Sequence, residues 1–233
     1  MKNLNEFTIE LQDLFAGRLK SVFIFGSRAN TEITAKTKNI DLFIILDVVR
    51  SEDLTKLFPY TQKWCALGNS VPVVMGKDEF IGMTDIFSIE YSDIKWNYQL
   101  LYGEDNVEAI NVNYFDLRLQ CERELKSLIL KLRSFYLEHG RSKSAVTGSM
   151  KKIARTVVVI FRALLRLKNM TPSVYKQDVV EDLATVLRFD KQFFRKLIEY
   201  KEDVYSFTTS EIFEFYEYII DQLTKILKQV SEM

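Results

Sequence analysis

The sequence predicts an α+β protein, with a mixed sheet and its helices over about residues 1–110 and an all-α helical bundle over 113–233. Three observations lead there. Short apolar runs of strand length alternate with helix-period stretches up to about residue 105. After about Val112 the apolar period stays helical to the end of the chain. No Gly-, Pro- or Ser-rich stretch separates the halves, so the boundary near 112 is a change of pattern without a linker.

Leu4, Phe7, Leu11, Leu14 and Phe15 recur at helical spacing, which predicts an amphipathic helix over 4–16 stopped by Gly17. Ser21 to Phe25 is an apolar run of strand type ending at Gly26, and a polar stretch from Arg28 to Asn39 follows. Ile40 to Leu46 is a second such run, apolar throughout except for Asp41, and reads as a central strand. A helix opens at Ser51 and reaches about Leu67, with a kink or break expected at Pro59. Val71 to Met75 is a third strand, placed by Pro72 at a sheet edge or at a strand start. From Ile86 to Tyr102 the pattern is mixed and ends in a turn at 102–105. Beyond it, helices with an apolar stripe are predicted around 125–140, 150–168 and 209–230, and shorter helices at 174–188 and 190–202.

The 233 residues are 47% hydrophobic and 13% aromatic, with only 8 Gly and 3 Pro, which excludes collagen-like and disordered chains. No apolar run approaches the roughly 20 residues of a membrane span, so no membrane partner is expected. The first residues lack the apolar stretch of a signal peptide, and Cys65 and Cys121 form no CxxC pair. Both point to a cytoplasmic protein with two buried thiols. A single His argues against a His-based metal centre.

The net charge of zero conceals an asymmetry. Residues 1–117 hold 11 Lys/Arg against 17 Asp/Glu, residues 118–168 hold 13 against 3, and residues 169–233 hold 8 against 12. The basic middle is either a solvated helix surface or a face for an anionic partner such as RNA. It has no recognised nucleic-acid motif, so nucleic acid is not the favoured partner.

The sharpest local feature is a strand ending in Gly26-Ser27-Arg28-Ala29, a polar loop, and then Asn39-Ile40-Asp41-Leu42 opening the next strand. Gly-Ser at a strand end presents backbone N–H groups and one hydroxyl to a phosphate, with no Cβ in the way. Residues two apart on a strand point the same way, roughly 6–7 Å apart, which suits paired carboxylates holding divalent metals beside a triphosphate. The structural alternative is a simple strand-end turn with Asp41 capping a helix or meeting an Arg.

This pattern resembles the minimal nucleotidyltransferase domain of the DNA polymerase β superfamily, in which Gly-Ser is followed by Asp-x-Asp on the next strand. The match runs in order over residues 1 to about 105. With the helical segments 117–125 and 161–167, the whole is similar in architecture to kanamycin-type aminoglycoside nucleotidyltransferases. The resemblance implies that Gly26, Ser27, Arg28 and Asn39 bind a nucleoside triphosphate, and that Asp41 is the catalytic and metal-binding residue, its ligand Mg²⁺. It also implies a cleft between the two domains and transfer of an NMP unit to an acceptor hydroxyl. Asn39 stands where the family has its first Asp, and Val71–Met75, the counterpart of the strand that carries the third, contains no acid. Asp78, Glu79, Asp85 and Glu90 follow without a spacing that selects one of them. The expectation is a nucleotide-binding protein with an eroded metal site in which transfer is weak or lost. The alternative is an active Mg²⁺-dependent transferase acting on a small molecule or a protein.

Two lesser features stand outside this reading. Arg133 and His139 have a spacing used by some helical nucleases, or His139 merely complements the end of its helix. The Phe and Tyr residues from Phe207 to Tyr218 are core, or the surface of a homodimer.

Overall fold

Four strands among the described residues form one mixed sheet: β1 (Leu19–Phe25), β2 (Asp41–Leu46), β3 (Val73–Gly76) and β4 (Tyr98–Gly103), in the order β3-β2-β1-β4. β1 runs antiparallel to both β2 and β4, while β2 and β3 are parallel. The computed structural model describes residues 4–34, 37–140 and 142–233. The chain divides into two units, Met1–Asn113 and Tyr114–Met233.

In the first unit the two central strands are covered on both faces, which is why they read as unbroken apolar runs. Val22 and Ile24 of β1 and Leu42, Ile44 and Leu46 of β2 pack with Phe7, Leu11 and Phe15 of α1 (Leu4–Phe15) and with Leu57 and Trp64 of α2 (Ser51–Ala66). Phe23, Phe43 and Ile45 point the other way, toward Phe80 of α3 (Lys77–Gly82) and Tyr91 and Ile94 of α4 (Ser88–Trp96). Each such side chain contributes roughly 1.5–3 kcal/mol through removal of apolar surface from water.

Three local outcomes differ from the sequence reading. α2 runs through Pro59 without the break that was one of the two expectations there. Pro59 and Thr55, whose carbonyl loses its helical partner, are both exposed, so water takes the place of the missing N–H. The mixed stretch after Ile86 resolves into α4 and the edge strand β4. β4 is hidden in the sequence because none of its residues is fully buried and its exposed and half-buried positions do not alternate. It ends at Gly103, where φ is +84° and a Cβ would lie 2.0 Å from the Lys20 carbonyl oxygen of β1, so only glycine permits the pairing. Finally, β2 begins at Asp41 rather than at Ile40 or before.

A buried ion pair fixes the turn from β2 into α2. Arg18 donates through Nη1 and Nη2 to the two carboxylate oxygens of Asp53 at 2.7 and 2.8 Å, through Nε to Asp47 at 3.1 Å, and to the Val48 carbonyl at 2.8 Å. Asp53 also accepts the Arg50 N–H and so caps α2. The Arg18 hydrogen bonds and charge hold the Asp53 carboxyl at about 2, below its ordinary value of 3.8, against the opposing effect of burial.

The second unit is all helical: α5 (Tyr114–His139), α6 (Lys143–Leu167), α7 (Lys176–Val186), α8 (Lys191–Lys201) and α9 (Thr209–Ser231). α6 is central, packing on each of the other four, and α5 also packs along α9. Its buried stripe, including Ile153, Val157, Phe161 and Leu164, explains the strong helical period of this segment. The Tyr216 hydroxyl of α9 donates to the Leu132 carbonyl of α5 at 3.0 Å in the interior. Cys65 is half-buried and Cys121 buried, and neither is in a disulfide among the described residues. Among the described residues no helix is long and apolar enough to cross a membrane.

Candidate functional site

At the end of β1 the chain turns at Gly26, with φ +74°, into a single 3-10 turn over Gly26–Arg28. The positive φ selects glycine there. Phe25, the last residue of β1, pairs across the sheet with Asp41, the first residue of β2, and on its other side with Tyr98 of β4. A Cβ built on Gly26 would touch Asp41 Oδ2 at 3.6 Å, so the carboxylate lies directly beside the bend.

The Asp41 side chain is half-buried, and its carboxylate makes no hydrogen bond or ion pair among the described residues. The structural alternative raised by the sequence required it to cap a helix or meet an Arg. Arg18 pairs instead with Asp53 and Asp47. An ionised group withdrawn from water without a counter-charge costs free energy that a bound cation would recover.

The corner is held from α4, an element that the sequence did not reveal. The Gly26 N–H donates to the Asn97 carbonyl at 2.9 Å. The Asn97 side chain accepts from Asn30 Nδ2 at 2.9 Å and donates to Asp93 at 3.2 Å. The Gly26 amide is therefore already engaged. The Ser27 hydroxyl, exposed, and the Arg28 guanidinium, half-buried, have no hydrogen-bond or ion-pair partner among the described residues. These two are the groups of the bend that an anion would meet.

Asn39 is not placed as the spacing suggested. It lies outside β2, exposed, with φ +56°, a left-handed conformation that Asn tolerates better than most residues. Its N–H donates to the Gly68 carbonyl at 2.9 Å, and the next N–H, of Ile40, to Asn69 Oδ1 at 3.3 Å. The same-face rule for residues two apart holds only within a strand, so it does not relate Asn39 to Asp41.

Other carboxylates are engaged or do not gather. Glu79 accepts the Gly76 N–H and caps α3. Asp105 accepts the Tyr98 hydroxyl at 2.7 Å, and that bond with burial pushes the phenol up to about 12. Among the described residues no group of three or more His, Cys, Asp or Glu side chains is arranged to hold a metal ion. The carboxylate that lies beside the bend is that of Asp41. Mg²⁺ commonly binds through one or two carboxylates with the rest of its shell from substrate phosphates and water, so Asp41 fits a single Mg²⁺–triphosphate and not a two-metal centre.

A hollow of about 450 Å³ in this unit is lined by Leu4, Thr31, Glu32, Thr34, Gln99 and Leu101 among others. Gln99 pairs with Ile24, whose side chain lies on the α1 and α2 face, whereas Asp41 pairs with Phe25 on the opposite face. This hollow is not the Asp41 site.

In the helical unit, His139 is exposed at the end of α5 with its ring edge-on to Phe135 at 4.4 Å, and Arg133 is exposed. Several of the basic residues are neutralised locally: Arg118 and Lys126 by Glu122, and Lys151 by Asp203.

Compared with known proteins, the chain is matched by no protein-family model and by no curated protein.

Proposed function

We propose that the protein binds a nucleoside triphosphate at the Gly26–Arg28 bend, with one Mg²⁺ held by Asp41, and that NMP transfer is weak or lost. The observation that carries this reading is the half-buried Asp41 carboxylate, unpaired among the described residues, directly beside a left-handed glycine. The Ser27 hydroxyl and the Arg28 guanidinium would take the phosphate oxygens, the latter as a charge-assisted donor. Asn97 holds the bend in place. Mg²⁺, when bound, supplies charge neutralisation of the phosphates. The reading of an active transferase requires further carboxylates to activate the acceptor hydroxyl, and Asn39 and the β3 residues provide none.

The test combines thermal unfolding and pyrophosphate release, with ATP and with GTP as probes, in the presence and absence of Mg²⁺. The expected result is stabilisation that needs Mg²⁺ and disappears in Asp41→Asn, with no pyrophosphate released. A ligand at 100 times its Kd stabilises by about 2.7 kcal/mol, well within the resolution of the measurement. Absence of any nucleotide effect, or an effect untouched by Asp41→Asn, sinks the proposal. Pyrophosphate release lost in Asp41→Asn establishes the active transferase instead.

A further inference from the structure

The geometry points to a second site, in the helical unit, for a small organic cation with an apolar body. It is a hollow of about 440 Å³ formed by the start of α8, the connection over 202–208 and the start of α9. Its size falls within the roughly 300–1,000 Å³ typical of small-molecule sites. The inference uses this unit alone and stands or falls independently of nucleotide binding.

The walls are aromatic. Phe193 and Phe215 stack with ring centroids 3.9 Å apart, Tyr218 meets Phe193 edge-on at 4.9 Å, and Phe207 leans on Phe215 at 4.5 Å. Tyr205 stands edge-on to Phe207 at 4.8 Å. The sequence reading gave the Phe207–Tyr218 aromatics to core or to a dimer surface. Tyr216 is core, while Phe207, Phe215 and Tyr218 line this hollow.

The lining carries three carboxylates, Asp190, Glu211 and Glu214, against one cation, Lys196. Two of the acids have structural duties. Asp190 accepts the Phe193 N–H and the Tyr218 hydroxyl, and Glu211 accepts the N–H and hydroxyl of Thr208. Glu214 has no hydrogen-bond or ion-pair partner among the described residues. Lys196 Nζ lies 5.9 Å from the centre of the Tyr205 ring, so the chain's own ammonium already uses an aromatic wall of the hollow. An anion would meet the carboxylates and a neutral molecule would gain only ring contact. A cation with an apolar body gains from both, and it competes with Lys196 for the same face.

Isothermal titration of the full chain with benzyltrimethylammonium, with benzyl alcohol and benzoate as neutral and anionic controls, tests this. The cation is expected to bind about tenfold more tightly than benzyl alcohol, and benzoate not at all. Glu214→Gln is expected to weaken the cation about three- to tenfold, and Lys196→Met to tighten it by a similar factor. Both residues are exposed, so both variants should fold as the parent does, which circular dichroism verifies. Equal affinity for benzyl alcohol, weaker binding in Lys196→Met, or no heat with millimolar cation overturns the assignment.

Discussion

Arg18→Met keeps the aliphatic stem and removes the guanidinium that holds the turn between β2 and α2. Four hydrogen bonds disappear, and Asp53, whose side chain is 1% exposed, keeps only the Arg50 N–H. Breaking a fully buried pair from one side costs about 3–5 kcal/mol. The Arg18 side chain is 26% exposed, so water replaces part of what is lost, and about 2–3 kcal/mol is expected. The assay is simple because Trp64 and Trp96 both lie in the first unit. Tryptophan fluorescence during urea unfolding follows that unit alone, and Trp64, buried and stacked on Phe7 at 4.8 Å, supplies a strong signal. The pH dependence has a definite sign. The Asp53 carboxyl is lowered from 3.8 to about 2 in the folded protein, so its contribution is fully present above about 3.8 and fades as the pH falls through about 2. In Arg18→Met the carboxyl stays buried without its cation, which raises its pKa, so the gap between variant and parent narrows as the solution is acidified below about pH 4. Adding Asp53→Asn to Arg18→Met removes the uncompensated charge and should recover part of the loss. A penalty below about 1 kcal/mol at pH 7, or one equally large at pH 3, would refute the reasoning.

Gly103→Ala should lower the urea midpoint of the same fluorescence transition by the equivalent of about 3 kcal/mol or more, because the new methyl meets the Lys20 carbonyl at 2.0 Å and φ is +84°. Tyr216→Phe removes a buried hydroxyl bonded to the Leu132 carbonyl and should cost about 1 kcal/mol, read by far-ultraviolet circular dichroism with the tryptophan transition unchanged. Asp41→Asn should hold the urea midpoint at that of the parent or raise it by the equivalent of up to about 1 kcal/mol, since it removes a half-buried charge that has no partner to lose among the described residues.

The central strands and the helices of the second unit were legible in the sequence because burial wrote a simple pattern into them. Ile40 to Leu46 is apolar because β2 is covered on both faces, and the stripe of α6 is regular because four helices pack on it. β4 was not legible, since its residues are at most half-buried and do not alternate along the strand. At the bend, the Gly26 turn and its nearness to Asp41 were legible from type and order along the chain. Asn39 was misplaced because a spacing rule for strands was applied beyond the first residue of β2. Asn97, Asn30 and Asp93 could not be found from the sequence. Asn97 reaches the bend through the pairing of β4 with β1, and a lone polar residue between a helix and a strand carries no periodic signal; Asn30 and Asp93 are tied to it by side-chain bonds alone. The aromatic hollow escaped for the opposite reason: the Phe and Tyr that line it share a helix with those that fill the core.

The attachment of the Gly26 bend to Asn97 has a consequence for the segment that follows. The amide of residue 26 and the side chain of residue 30 are anchored to the same asparagine, so the short helical twist between them is braced by folding itself. A partner arriving there has little backbone to immobilise, and less of its interaction energy is spent on ordering the chain.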